Sequence, residues 1–387
     1  MIRFLTAGES HGPGLTGILE GMPAGLSLSE AEIAVDLARR QKGHGRGGRM
    51  KIETDYARIM SGVRYGSTLG SPIALLIENR DWENWRDKMS ITDPGAEKRI
   101  DKLVSPRPGH ADYAGSIKFH QDDIRNVIER SSARETTMRV ALAAICRKFF
   151  AEFGVKVYSH VVKIGGVETA PIAHDVNLAE HFARVEESPV RCGDAKAEKQ
   201  MMELIDRATE TKDTVGGEFE VIVEGLPVGL GSFVHYDRRI DGILAQAMLS
   251  IHAMKGVEFG MGFNVANVFG SQVHDRIYPF EKDIVRATNN AGGTEGGMTN
   301  GERLVLRVAM KPLSSLMQPL ESVNLKTNEP IEALRERSDV CAVPAGGIVG
   351  EAMALLALMN PFLEKYGGDS MTEIRAHIDA TPRSPWR

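Results

Sequence analysis

Two histidines stand in segments rich in glycine and proline, Gly8-Glu9-Ser10-His11-Gly12 and Arg107-Pro108-Gly109-His110-Ala111-Asp112. Such backbone disfavours the middle of a helix or strand, so each imidazole is expected on a loop, where catalytic groups concentrate on a rigid scaffold. Histidine is also the side chain whose proton moves near neutral pH, so His11 and His110 are candidates for acid–base work in one active site. His120, His160, His174, His181, His235, His274 and His377 carry no such context and are left unassigned. With no H-x-x-x-H or H-E-x-x-H spacing and no paired cysteines, no zinc site is expected. Ser10 lacks the G-x-S-x-G elbow of a serine nucleophile.

The next candidates are cationic. Arg39 to Lys51 places six formal positive charges in thirteen residues with no acid, including Arg40, Arg46 and Arg49. One reading is a solvated basic loop; the other is a polyanion site, favoured by interleaved glycines that let backbone N–H groups approach while arginines grip oxyanions bidentately. Gly43, Gly45 and Gly48 match G-x-G-x-x-G, but they follow a helix and precede a strand-like run, the reverse of a dinucleotide-binding turn. Arg130-Ser131-Ser132-Ala133-Arg134 opens a helix with hydroxyls and two arginines, which reads either as ordinary capping or as a phosphate site. Asn289 to Gly301 carries five glycines in thirteen residues, either a floppy loop or backbone laid against a ligand. Lys311-Pro312-Leu313-Ser314-Ser315 and Arg335 to Asp339 add further donors and a carboxylate.

These loops need elements to hold them. Ile2 to Thr6 and Leu15 to Leu19 read as strands, and Ser29 with Glu32 forms a capping box for a helix ending near Arg40. A second helix is expected from about Ser132 to Phe153, with Met138, Leu142, Ile145 and Phe149 on one face. Val221 to Leu230 echoes Gly17 to Leu26, each a strand and a Gly-Pro-Gly turn, the second leading to a helix over 238–254. The echo reads as an internal duplication or as a chance match. Residues 167–214, rich in charge, are expected to form a surface insertion or helical excursion, and no linker divides the 387 residues. The 42% hydrophobic content supplies a substantial core, and a net charge of -5 gives no overall attraction to nucleic acid or anionic membrane. Three scattered cysteines fit a reducing compartment, and with no signal-like segment the expected location is the cytoplasm.

Together the segments resemble the chorismate synthase family. The resemblance rests on GESHG at 8–12, EGMPAG at 20–25, RPGHADY at 107–113, RSSARETT at 130–137, AGGTEGGMTNG at 291–301, KPLSS at 311–315 and RSDVCAVPA at 337–345, in that order along nearly the whole chain. It implies a carbon–oxygen lyase that converts 5-enolpyruvylshikimate 3-phosphate to chorismate and phosphate by a 1,4-elimination needing reduced FMN. It implies an α+β fold, a β-α-β sandwich with helices enclosed by antiparallel sheets in a single domain, assembled as a homotetramer. His11 is then the cation beside the leaving phosphate, His110 the partner of the reduced flavin, and Asp339 a proton relay at the flavin. Arg130, Ser131, Ser132, His252, Ala253, Gly296, Lys311, Pro312, Leu313, Ser314, Ser315 and Arg337 are the implied FMN contacts. Arg40, Arg46, Arg49, Arg107 and Arg134 are substrate ligands, Arg40 and Arg46 also matching family NADP positions, and NADPH is a candidate reductant. A flavin oxidoreductase with net turnover of reductant, and an RNA-binding protein using the basic loop, are the rival readings; poor aromatic interleaving and the acidic net charge weigh against the second.

Overall fold

The computed structural model describes residues 1–47, 54–173, 176–281, 283–336 and 338–382. A four-stranded sheet comes from the first fifth of the chain: β1 (Arg3–Ala7), β2 (Gly14–Glu20), β3 (Arg58–Ile59) and β4 (Ile73–Glu78), in the order β1-β2-β4-β3 with every pairing antiparallel. Alternation in β2 and β4 turns Leu15, Leu19, Ile73, Leu75 and Ile77 into the core. A five-stranded antiparallel sheet forms from β5 (Lys156–Ile164), β6 (Val167–Glu168), β7 (Gly217–Glu224), β8 (Met254–Phe259) and β9 (Leu304–Met310), in the order β8-β9-β7-β5-β6. Its inward face presents Phe219, Val221, Val223, Leu304, Leu306 and Val308.

The helices are α1 (Glu30–Gln41), α2 (Asp112–Phe119), α3 (Arg125–Arg130), α4 (Thr136–Ala151), α5 (Leu178–Glu187), α6 (Ala195–Glu210), α7 (Ile240–Leu249) and α8 (Val343–Tyr366), with a last one at Met371–Ala380. Among them α4 packs on β2 and β4, while α8 packs on β5 and β7 and also against α1, α4 and α7. The apolar faces therefore meet in one layered core that holds most of the buried side chains. Close approach is bought by small residues: a Cβ on Gly17 would lie 2.5 Å from Met138, and one on Gly350 would lie 2.7 Å from Phe219. Helix α8 is long and apolar enough to cross a membrane, but its apolar window is 83% buried between the sheets and it carries Glu351.

The echo between the halves is a structural repeat. In the first half the Thr68 hydroxyl donates to Pro23 O at 2.6 Å and accepts from Leu26 N–H at 2.9 Å, and Gly25 N–H bonds to Thr68 O. In the second half the Thr299 hydroxyl donates to Pro227 O at 2.7 Å and accepts from Leu230 N–H at 2.9 Å, and Gly229 N–H bonds to Thr299 O. Each half thus runs strand, turn, helix, hairpin, strand, with α1 answered by α7 and β4 by β9.

Several expectations need correction. The second-half helix stops at Leu249 rather than 254: Ser250 caps it, and after Ala253, at a left-handed φ of 67°, Met254 joins the sheet opposite Met310. The helix expected from Ser132 begins as a short 3-10 turn at Ala133–Glu135 and becomes α4 only at Thr136. Within the glycine-rich stretch Thr294–Glu295 pairs with Met298–Thr299 as a hairpin docked against Gly231 and Ile240. The expected surface excursion over 167–214 contributes two helices, α5 covering the outer face of the larger sheet through Phe182 stacked on Tyr158 at 4.6 Å, and α6, not confined to the surface, sending Met201 and Ile205 into the core, while Val167–Glu168 belongs to the sheet.

Candidate active site

The loop between β1 and β2 begins at Gly8, whose φ of 112° and approach to Gly14 O, 2.4 Å from any Cβ, admit only glycine. The loop is then tied down by the buried Asn79 amide, which donates to Ser10 O at 3.2 Å and Gly12 O at 2.8 Å. His11 is held from two sides. Its Nδ1 lies 3.0 Å from both carboxylate oxygens of Glu129 on α3, and its backbone N–H donates to Glu129 Oε2 at 2.8 Å. Its ring stacks on Trp85, with centroids 3.8 Å and planes 21° apart. Burial would push the Glu129 carboxyl up, but hydrogen bonds and charge from His11, with Arg125 behind, hold it below the ordinary carboxylate value.

His110 repeats the arrangement from a different loop. Its Nδ1 meets Asp112 Oδ1 at 2.5 Å, and Asp112 also accepts from Arg107 Nε at 2.9 Å and from the Arg107 backbone N–H at 3.0 Å. Burial opposes the Asp112 charge, but His110 and Arg107 outweigh it and hold the carboxyl well below its usual range. Arg107 Nη1 reaches across to the Ser315 hydroxyl at 2.7 Å, which joins this loop to the segment after β9.

Both histidines line one cavity of about 620 Å³. Arg40, Arg46, Arg107 and Arg134 share its wall with Asp339, and so do Ser131, Ser132, His252, Ala253, Lys311, Leu313, Ser314 and Ser315. Arg134 is fixed by Asp55 at 2.5 Å and by Asn79 Oδ1 at 2.9 Å. Asp339 accepts from Gly47 N–H at 2.6 Å and pairs with Arg46 at 2.7 Å. Arg40 donates to Thr136 Oγ1 and Ala133 O, but among the described residues its buried Nη1 has no hydrogen-bond partner. Burial, together with the Arg46 and Arg134 charges, pulls Arg40 down to about 9. Its charge is thus held at a cost that a bound anion would relieve. Burial also lowers Lys311, whose Nζ donates to Ser314 Oγ at 2.7 Å, and lowers His252, whose buried Nδ1 lacks a hydrogen-bond partner among the described residues. Ile128, Ile251, Met254, Met310 and Val349 complete the wall with an apolar surface.

Not every expected residue is brought here. Arg130 turns away and donates to Thr6 O at 2.7 Å and Gly8 O at 3.2 Å, bracing β1 rather than facing the cavity. Gly296 sits exposed at the tip of the glycine-rich hairpin, and Pro312 is passed over between Lys311 and Leu313. Arg49 and Arg337 lie outside the described residues. Among the described residues no cluster of three or more histidine, cysteine or acidic side chains is placed to hold a metal. Sequence reasoning missed Glu129, Asp112, Asn79, Asp55 and Trp85. Asp112 was within reach, two residues from His110, whereas the others meet their partners only through the fold.

Comparison with known proteins gives one answer. The chorismate synthase family model matches residues 2–363. The chain is 55% identical over 381 residues to a chorismate synthase of Syntrophotalea carbinolica, covering 98% of this chain and 97% of that one. It is 52% identical over 385 residues to a chorismate synthase of Aquifex aeolicus, covering 98% and 96%. A solved structure, described as a crystal structure of chorismate synthase, superposes with a TM-score of 0.78 at 44% identity, covering 98% of this chain and 96% of that one.

Proposed function

The chain belongs to the chorismate synthase family and converts 5-enolpyruvylshikimate 3-phosphate to chorismate and phosphate, and we propose that the cavity between His11 and His110 is where it does so. The reaction is the last step of the shikimate pathway. Phosphate leaves with the electrons of its C–O bond, hydrogen is lost from carbon 6, and the new double bond keeps the overall oxidation state unchanged. The family requires reduced flavin, and reduced FMN when bound supplies electron density to the emptying ring.

The residues fit both anionic ligands. Arg40, whose buried Nη1 has no hydrogen-bond partner among the described residues, and its neighbours Arg46 and Arg134 form a cationic corner suited to a phosphate and carboxylates. The apolar wall with Ser131, Ser132, Lys311 and Ser314 suits a planar ring carrying its own phosphate. We assign Arg40, Arg46 and Arg134 to substrate rather than to NADP, and Ala253, His252 and Lys311 to Ser315 to the flavin side. His11 holds a proton beside the departing phosphate oxygen and stabilises the charge that develops there. His110, fixed by Asp112 and Arg107, is the proton-carrying group on the flavin side, and Asp339 accepts a proton at the carboxylate that Arg46 and Gly47 now hold. The single observation that carries this reading is the meeting of the two buried carboxylate–histidine couples on one arginine-rich wall.

The wider reading is a cytoplasmic homotetramer of single-domain subunits with no nucleic-acid or membrane partner, its flavin reduced by NADPH or by an external donor. The catalytic test is anaerobic turnover after FMN has been reduced once. Many chorismate molecules per flavin are expected, and one reductant consumed per product would return the net oxidoreductase reading. In the same assay His11→Ala and His110→Ala should each lower kcat about a hundredfold or more with the fold intact by circular dichroism.

A further inference from the structure

The pairing of His11 with Glu129 is more elaborate than packing requires. Glu129 is 1% exposed, and a buried carboxylate is costly unless it is fully paired. Here the carboxylate receives the His11 backbone N–H, the His11 Nδ1 and, at 3.2 Å, Arg125 Nη1. Arg125 is itself anchored to Glu336 at 2.7 Å and lies over the Trp85 ring at 5.3 Å, while Trp85 Nε1 donates to Asp81 at 3.2 Å. Trp85 closes the other face of the imidazole, and Lys88 stands over that indole at 5.1 Å. The ring is thus held with Nδ1 turned into Glu129 and its face on Trp85, at the wall of the cavity that His11 lines.

We propose that Glu129 is a positioning residue for the reaction: it accepts from His11 Nδ1–H, orients the ring and stabilises the imidazolium, so that the His11 cation is held beside the departing phosphate. The inference rests on the reading of His11 as the group beside that phosphate. Glu129 itself does not touch the reacting atoms; it acts through His11 as the buried aspartate acts through the histidine of a serine protease. Arg125 and Glu336 complete the support by holding the carboxylate in place.

The test is a double-mutant cycle in the full-length enzyme with FMN reduced once. Glu129→Gln should lower kcat roughly tenfold or more while KM changes less than about twofold, because substrate binding is left to the arginines. Glu129→Asp, which keeps the charge but withdraws it from Nδ1, should fall between the two. In a His11→Ala background Glu129→Gln should cost less than about twofold further, since a residue acting only through His11 has nothing left to position. Wild-type kcat in Glu129→Gln, or an equal loss with and without His11, overturns the inference. If Glu129→Gln fails to fold, wild-type kcat in Glu129→Asp overturns it instead. Normal turnover in His11→Ala overturns the reading of His11 on which the inference rests, an outcome distinct from either of these.

Discussion

The site is built from side chains that would be unstable alone. Glu129 and Asp112 are buried carboxylates, and each is kept charged by a histidine and an arginine facing it. The cationic corner is strained in the other direction: Arg40 is buried beside Arg46 and Arg134, which pair with Asp339 and Asp55, and among the described residues its Nη1 has no hydrogen-bond partner, Asp55 lying 3.9 Å away. A bound anion reaching Arg40 would relieve its buried charge. Inorganic phosphate should therefore raise the melting temperature of the free enzyme, by an amount equivalent to about 2.7 kcal/mol at a hundred times its Kd. Arg40→Met should lose most of that response in a thermal-shift titration while keeping the fold.

At the scale of elements, the helix layer is joined by a second charged cluster that the chemistry does not use. Glu351, fully buried in α8, accepts from Arg39 of α1 at 2.8 Å, from Arg147 of α4 at 2.7 Å and from Ser159 of β5 at 2.6 Å. Burial pushes its carboxyl up, but the Arg39 and Arg147 charges dominate and hold it at about 2 rather than the ordinary 4.5. The folded pKa is the depressed one, so the stabilisation is fully present above pH 4.5 and is lost as pH falls from there toward 2. The expected contribution is roughly 3 kcal/mol. Urea unfolding at pH 6 and pH 3 should show it as a loss in the wild type, and Glu351→Gln should be less stable at pH 6 with a flatter acid limb.

At the scale of the molecule, the two repeats place their helices back to back and their sheets outside, and the cavity forms where loops of both halves converge. The wall at Ala345, Gly346 and Val349 belongs to α8, so the distance between α8 and the larger sheet is also a dimension of the site. Gly350 sets that distance, since an added methyl would meet Phe219 at 2.7 Å and Val221 at 2.9 Å. Gly350→Ala should lower stability by about 1–3 kcal/mol as α8 is pushed off β7. It should also raise KM, although the residue touches no ligand, and denaturant unfolding with steady-state kinetics on the same sample measures both.

By itself the sequence determined what acts over a few residues. The capping box of Ser29 and Glu32 starts α1 as expected, and its contacts lie three positions apart. The Gly-Pro-Gly turns were legible as an echo, because turn chemistry is local and each copy kept it, but whether that echo was a duplication or a chance match was left to the fold. His11, His110, Asp339 and four of the arginines were identifiable by residue type and motif, as was the family through their order. Apart from Asp112, close in sequence to His110 and Arg107, their partners were decided by the tertiary structure. Glu129 is 118 residues from His11, Asp55 79 from Arg134 and Asn79 55 from the same arginine, and no pattern in the chain links such pairs. It also decided that Arg130 braces β1, that Gly296 sits at the tip of a hairpin, and that α7 stops at Leu249 although the apolar run continues to Met254. The physical reason is one of range: propensity and capping act through neighbouring residues, whereas burial and charge pairing depend on which segments the packed layers bring together.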